Sequence, residues 1–208
     1  MIDAALILVD IQRDFCPGGS LAVAEGDSII PVVNAISHRF RRVIATRDWH
    51  PDRHVSFASR HEGSEPFDMV EFDGIEQVLW PDHCVQGTAG ATFHPQLDLR
   101  PIDLIVHKGT NQDLDSYSAL FENDHTTPTG LEGYLRTLGI SSLYLSGLAT
   151  DVCVLFSAID ARKLGFEVTL ITDATRGVDQ PEGSVDDALK QMSDSGVKMC
   201  ASNELPER

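Results

Sequence analysis

Paired cysteines, basic residues and long apolar runs are all scarce in this chain of 208 residues. The four cysteines are widely scattered and none belongs to a CxxC pair, which argues against a secreted disulfide framework and favours free thiols. The opening MIDAALILVDIQRD has one short apolar run with no basic residue before it, so we expect neither a signal peptide nor a transmembrane helix. A cytoplasmic location is the resulting expectation.

Positive charge is also in short supply. Sixteen Lys and Arg residues face 32 Asp and Glu residues, and the net charge is −16. Nucleic acids and anionic membranes bind through basic patches, and the longest basic cluster is His38-Arg39-Phe40-Arg41-Arg42. We therefore expect a small-molecule ligand and neither a nucleic acid nor a membrane partner, while both a monomer and a homo-oligomer remain open.

Apolar residues, in contrast, are present in ordinary amount. At 42% hydrophobic content, the chain can bury the core of one large domain without help from a disulfide or a metal. The sequence therefore predicts a single domain spanning residues 1–208.

Strand-like and helix-like patterns alternate along this domain. Continuous apolar runs predict strands, and apolar residues at helical spacing predict helices. The strands are predicted at 4–9, 42–46, 102–107, 142–146, 167–172 and 197–199, and the helices at 28–40, 131–138, 152–164 and 185–192. This alternation predicts a three-layer α/β/α sandwich around a mostly parallel central sheet of about six strands.

One segment, at about 48–100, breaks the alternation. It is rich in proline, glycine, histidine and aromatic residues and shows little periodicity. Long irregular segments inside compact domains usually carry function, so we expect a metal or substrate to bind here.

Three chemically distinct side chains lie at the ends of predicted strands. Asp10 ends the first, Lys108 follows the third, and Cys153 comes shortly after the fourth. Ligands of such sheets bind beyond the carboxyl ends of the strands. If these strands are neighbours, a carboxylate, an amine and a thiol therefore converge at one edge.

Cys153 has two interpretations. A lone cysteine on an apolar helix is often only a packing residue, because free cysteine is among the most buried residue types. Alternatively, Thr150 caps the helix and places Cys153 in its first turn, where free amides and the helix dipole favour a thiolate nucleophile. Lys108 and Asp10 would then supply a cation and a base.

Histidines in and just before the irregular segment suggest a metal. Asp48 and His50 face the same way on extended backbone, His54 follows within one turn, and His83 comes later. Three imidazoles and one carboxylate suit zinc, iron or manganese. The alternative is that these histidines simply face solvent in a loop.

Five motifs extend over nearly the whole chain: ALILVDIQRDFCPGGSLAV (5–23), VIATRDWHPDRHVSF (43–57), WPDHCVQGTAGATFHP (80–95), HKGTNQDLDSYSAL (107–120) and LYLSGLATDVCV (143–154). Together they resemble the isochorismatase-like cysteine hydrolases. The D-x-H-x-x-x-H segment with the later W-P-x-H-C is similar to the nicotinamidase branch of that family.

The resemblance implies roles for these residues. It implies a catalytic triad of Asp10 as proton carrier, Lys108 as cation and Cys153 as nucleophile, with an oxyanion hole formed by the amides of Ala149 and Cys153 after a cis Leu148-Ala149 bond. It also implies metal ligands, with zinc as first choice, and aromatic residues around a pyridine ring; these are Asp48, His50, His54, His83, Phe15, Trp80 and Tyr117.

The reaction implied is hydrolysis of nicotinamide to nicotinate and ammonia through a cysteine thioester, in NAD salvage, with pyrazinamide as a related substrate. Three alternatives remain open. One is a metal-bound hydroxide as catalyst with a structural Cys153. The others are a non-enzymatic sensor of a pyridine or a metal, and another amidase or hydrolase of the same superfamily.

Overall fold

The computed structural model describes residues 1–72 and 74–206. Its eight strands are β1 Ile2–Val9, β2 Phe40–Asp48, β3 Met69–Phe72, β4 Ile75–Val78, β5 Leu104–Lys108, β6 Ser142–Leu148, β7 Glu167–Arg176 and β8 Lys198–Cys200. Its four α-helices are α1 Ile30–Ser37, α2 Leu131–Thr137, α3 Leu155–Lys163 and α4 Ser184–Asp194.

Six of these strands form one parallel sheet in the order β5-β2-β1-β6-β7-β8. β1 shows why both faces need cover, because its buried side chains alternate between two cores: Leu6 packs with α1 on one face and Ile7 with the other three helices on the opposite face. The predicted three-layer α/β/α sandwich with six central strands is therefore confirmed.

The first helix is shorter than predicted. Pro31 lies in its first turn, where its missing N–H costs no hydrogen bond, and a short 3-10 turn precedes it. The chain turns after Ser37, and Phe40 already belongs to β2.

The helix after β6 also begins differently. Residues 150–154 form a wide π-type turn that leads into α3. The prediction that Thr150 caps this helix is wrong. Ala149 occupies the cap position with extended backbone, and the Thr150 hydroxyl hydrogen-bonds the Thr175 hydroxyl at 2.7 Å. Thr150 therefore joins the turn to β7.

The segment at about 48–100 has more order than its composition indicates. β3 and β4 pair as an antiparallel hairpin outside the main sheet, and a 3-10 turn spans Ala58–Arg60. Sequence periodicity missed the hairpin because each strand has only four residues.

Two further expectations concern cysteines and membranes. All four cysteines are unpaired, as predicted. Within 1–72 and 74–206, no helix combines the length and the apolar character that crossing a bilayer requires.

Candidate active site

The carboxyl ends of β1, β5 and β6 bring Asp10, Lys108 and Cys153 together. The Lys108 Nζ atom lies 2.8 Å from Asp10 Oδ2 and 3.4 Å from Cys153 Sγ. All three residues are buried. The β5 and β1 strands are not direct neighbours, because β2 lies between them, yet the long lysine side chain spans that gap.

Asp10 is held by the strand next to it. Its backbone adopts a left-handed conformation with φ of 48°, which ends β1 and turns the carboxylate towards Lys108. The Thr46 hydroxyl of β2 donates to Asp10 Oδ1 at 2.6 Å and accepts the Asp10 amide at 3.2 Å. Thr46 thus fixes this carboxylate, although nothing in the sequence pattern had singled it out.

Lys108 has two further contacts that sequence analysis missed. Its ammonium donates to Asp48 Oδ1 at 2.5 Å and to the Ser116 carbonyl at 2.9 Å. Asp48 was predicted only as a metal ligand, but it also neutralises the lysine. This one carboxylate therefore connects the strand-end cluster with the histidine cluster.

Burial and charge act against each other in this cluster. Burial raises the pKa of Asp10, and Lys108 offsets only part of the rise. Burial also raises the pKa of Asp48, but Lys108 and His50 outweigh it, so the net pKa lies well below the usual value. Burial lowers the pKa of Lys108, but the two carboxylates outweigh it and raise the net pKa well above normal. A charged Lys108–Asp48 pair is the result.

The Cys153 thiol does not follow the expectation that its position favours a thiolate at rest. Burial raises the pKa of Cys153 well above its usual value, Lys108 offsets part of that rise, and the carboxylates of Asp10 and Asp48 add to it. The resting sulfur is therefore protonated. Nucleophilic attack then requires a base, and Asp10, whose own raised pKa makes it more basic, lies across Lys108 from the thiol.

The turn that carries Cys153 is held from several sides. Gly147 approaches the β1 backbone so closely that a side chain there would overlap Val9. The following Leu148–Ala149 peptide bond is cis, as the family resemblance implies. The Asp151 carboxylate accepts hydrogen bonds from the amides of Val178 and Asp179 and from the Ser184 hydroxyl.

Three of the four predicted metal ligands form one buried group. Ligand atoms of Asp48, His50 and His83 lie within 4.8 Å of one another. The Nδ1–H groups of His50 and His83 donate to the carbonyls of Gly109 and Pro81 at 3.0 and 2.8 Å, which leaves each Nε2 facing Asp48 Oδ2 at 3.4 and 3.7 Å. Two oriented imidazole nitrogens and a carboxylate fit a divalent transition metal.

His54 belongs to a different group. Its ring packs on His50 at 4.2 Å, but it clusters with His50 and Asp115 rather than with Asp48 and His83. Its Nδ1 contacts the Ser56 hydroxyl at 2.7 Å, and its buried Nε2 has no hydrogen-bond partner in the described chain. Burial lowers the pKa of His54 to about 4, so the ring is neutral near pH 7.

A cavity connects the thiol with the group formed by Asp48, His50 and His83. Phe15, Trp80 and Tyr117 form part of its wall, as predicted from the resemblance, together with Ala149, Val152 and Val178. Cys153, Asp48, His50 and His83 also line it. A flat aromatic ligand can therefore contact the sulfur at one end and the imidazoles at the other.

Gln12 and Asp115 are further site residues that sequence analysis did not identify. Gln12 exchanges hydrogen bonds with the Asp48 backbone, accepting its amide at 2.7 Å and donating to its carbonyl at 2.8 Å. Asp115 accepts the Ser116 amide at 2.7 Å beside the histidines. Gln12 lies in the first quoted motif, which is the only signal that pointed to it.

Fold and site define an α/β/α hydrolase with a buried thiol, an ammonium and a carboxylate at the edge of a parallel sheet. Residues 4–204 match the family described as the isochorismatase domain. The chain belongs to the isochorismatase family.

Two relatives that match nearly the whole chain are nicotinamidases. A curated nicotinamidase from Acinetobacter baylyi is 48% identical over 203 residues, covering 98% of this chain and 94% of that protein. A solved nicotinamidase and pyrazinamidase from Acinetobacter baumanii is 48% identical with a TM-score of 0.96, covering 98% of both chains.

Two more solved structures contain ligands. PnC1 from L. infantum in complex with nicotinate is 39% identical with a TM-score of 0.85, covering 97% of this chain and 93% of that chain. The pyrazinamidase of Pyrococcus horikoshii in complex with zinc is 40% identical with a TM-score of 0.78, covering 96% of this chain and 99% of that chain.

Proposed function

We infer that this chain is an amidohydrolase that converts nicotinamide to nicotinate and ammonia, a reaction of NAD salvage. The main observation behind this inference is that the Cys153 thiol and the group of Asp48, His50 and His83 line the same cavity. One pyridine carboxamide can present its amide carbon to the first and its ring nitrogen to the second. The 48% identity to nicotinamidases over nearly the whole chain supports the same substrate.

The acylation step begins with proton transfer. Asp10 accepts the thiol proton, and Cys153 Sγ attacks the amide carbon. The amides of Ala149 and Cys153, both of which line the cavity, stabilise the resulting oxyanion, and each such donor typically contributes about 2.7 to 4 kcal/mol. Lys108 keeps its positive charge and compensates the charge that moves between sulfur and carboxylate.

The second half of the reaction uses the same groups. Asp10 returns its proton to the leaving nitrogen, and ammonia departs to leave a thioester on Cys153. Asp10 then activates a water molecule that hydrolyses the thioester and releases nicotinate. The raised pKa of Asp10 suits both roles, because a carboxylate that is too weak a base would hold neither proton.

Asp48, His50 and His83 would hold a divalent transition metal, with zinc first and iron or manganese as alternatives. When bound there, the metal supplies a Lewis-acid contact for the pyridine nitrogen. The P. horikoshii relative in complex with zinc supports this assignment. His54 was expected as a fourth ligand; because it groups with Asp115, we assign it to the support of His50.

The aromatic wall sets the shape of the ligand. Phe15, Trp80 and Tyr117 bind a flat heteroaromatic ring, and this wall also admits pyrazinamide.

Several expectations from the sequence stay predictions. They are a cytoplasmic location, the absence of nucleic-acid and membrane partners, the oligomeric state and the single domain over residues 1–208.

Ammonia release and covalent trapping test the function together. The protein is incubated with nicotinamide and zinc, and ammonia is measured while intact-protein mass spectrometry looks for a nicotinoyl adduct on Cys153. We expect both signals. Ammonia release without any adduct, together with full turnover by Cys153→Ala, would assign the chemistry to a metal-bound hydroxide instead.

A further inference from the structure

The β3–β4 hairpin places a buried amide behind the aromatic wall of the cavity. Gln77 lies on β4 and is only 3% exposed, whereas its neighbour Glu76 faces solvent. A buried glutamine side chain is costly unless its polar atoms are paired. Gln77 is paired with residues that line the cavity, and this suggests a role in the site.

The orientation of the Gln77 amide follows from its neighbours. Its Nε2 atom lies 2.7 Å from the Val78 carbonyl and 3.1 Å from Asp115 Oδ2, both of which only accept hydrogen bonds. The flipped orientation would place an amide oxygen against a carbonyl and a carboxylate. The amino group has two N–H groups for three acceptors, so the N–H that points towards Asp115 is shared with the Tyr117 oxygen, which lies 3.0 Å from Nε2.

A second donor reaches the same oxygen. Trp80 Nε1, which can only donate, lies 3.1 Å from the Tyr117 hydroxyl oxygen. Two N–H groups thus occupy the acceptor positions of Tyr117, and its own proton must point elsewhere. Among residues 1–72 and 74–206, no atom accepts that proton. Burial, and to a smaller extent the charge of Asp115, raise the pKa of Tyr117 well above normal, so the hydroxyl stays protonated.

We propose that Gln77 is a positioning residue that, with Trp80, makes the Tyr117 hydroxyl a dedicated hydrogen-bond donor to the ligand in the cavity. Tyr117 lines that cavity, so an acceptor atom of a bound heteroaromatic amide can receive the proton. The proposal rests on the proposed function, since it takes an aromatic carboxamide as the ligand.

A double-mutant cycle on the zinc-loaded enzyme tests this proposal. Tyr117→Phe and Gln77→Met are measured alone and together for KM and kcat with nicotinamide. We expect each single change to raise KM about 3- to 10-fold, as for one lost hydrogen bond, with kcat within about 2-fold. The double variant should be no worse than Tyr117→Phe, because Gln77 acts through that hydroxyl.

Gln77→Glu is the sharper variant, because it keeps the shape and replaces the amino group with a carboxyl, whose one possible proton bonds the adjacent Asp115 carboxylate and not Tyr117. It should raise KM at least as much as Gln77→Met. A wild-type KM in Gln77→Glu, additive effects in the cycle, or an unchanged KM in Tyr117→Phe would each overturn the proposal. The last result would mean that the bound ligand does not accept the tyrosine proton.

Two controls separate this test from folding and from the proposed function. Gln191→Met, at an exposed position of α4, should leave KM, kcat and thermal stability unchanged. Nicotinate binding to Cys153→Ala, measured by calorimetry with and without Gln77→Glu, should weaken by the same factor as KM rises. A wild-type enzyme that releases no ammonia would overturn both proposals, whereas an active enzyme with an additive cycle overturns this one alone.

Discussion

The two halves of the site are built on different principles. Asp10, Lys108 and Cys153 come from the ends of parallel strands, where topology alone brings side chains to one edge. The histidines, Trp80 and Tyr117 come from the 48–100 segment and the loop after β5, and Phe15 comes from the turn after β1. Individual hydrogen bonds, such as His50 to Gly109 and His83 to Pro81, set the positions of the histidines.

The halves also differ in electrostatics. The strand-end half confines two carboxylates, an ammonium and a thiol in a buried space, so their pKa values move far from normal. The other half, formed mainly by the 48–100 segment and the loop after β5, relies on side chains that individual hydrogen bonds orient. The proposed function assigns the chemistry to the first half and ligand placement to the second, and each prediction below tests that division.

The largest expected effect comes from the nucleophile. Cys153→Ala should lower kcat by a factor on the order of 10⁴ or more, because the acyl intermediate of the proposed reaction forms on its thiol. Ammonia release measures this loss. Cys200→Ala, at a partly exposed thiol distant in sequence from the site, should be as active as the parent enzyme.

Removal of the cation should damage both activity and stability. Lys108→Met leaves the buried carboxylates of Asp10 and Asp48 without a counter-charge, and breaking such an arrangement typically costs about 3–5 kcal/mol. Urea denaturation measures the loss. Lys190→Met breaks only the exposed pair with Asp194 and should cost at most about 1 kcal/mol, so equal losses in the two variants would contradict a buried ionic role for Lys108.

The metal assignment predicts unequal effects of two histidines. His83→Ala should weaken zinc affinity by about 100-fold or more, whereas His54→Ala, which removes only support of His50, should weaken it by about 10-fold. Zinc titration monitored by thermal stabilisation gives both values. Comparable losses would place His54 among the ligands, as the sequence had suggested.

Removal of the metal with a chelator should raise KM more than it lowers kcat.

The smallest effect concerns the base. Burial raises the pKa of Asp10, and the Thr46 hydroxyl opposes this by stabilising the carboxylate. Activity requires the unprotonated base, so kcat/KM should fall as the pH drops through a value above the ordinary 3.8. Thr46→Val should move that acid limb upwards by about one pH unit.

Thr137→Val is the matched control for this shift. It removes an exposed hydroxyl that bonds the Gly133 carbonyl within α2, far along the chain from Asp10. Its pH profile should superimpose on that of the parent. An acid limb unchanged in Thr46→Val would show that Asp10 does not govern it.

The sequence alone determined where the strands of the main sheet lie along the chain and which residues stand at their ends. Strands buried on both faces appear as continuous apolar runs, and the first charged or polar residue after a run marks the strand end, as at Asp10. The same local patterns located the irregular segment and its histidines. They failed at Thr150, because the preferred cap of a helix depends on whether a distant partner such as Thr175 competes for its hydroxyl.

Only the tertiary structure decided which side chains meet. Asp48 and Lys108 are 60 residues apart and Gln77 and Tyr117 are 40 apart, and no periodicity reaches across such distances. Folding alone also determined that the thiol rests protonated, because desolvation acts on the complete buried cluster and not on any one residue. The tertiary structure likewise determines which groups donate to the Tyr117 hydroxyl, because the hairpin, Trp80 and the cavity meet there only after folding.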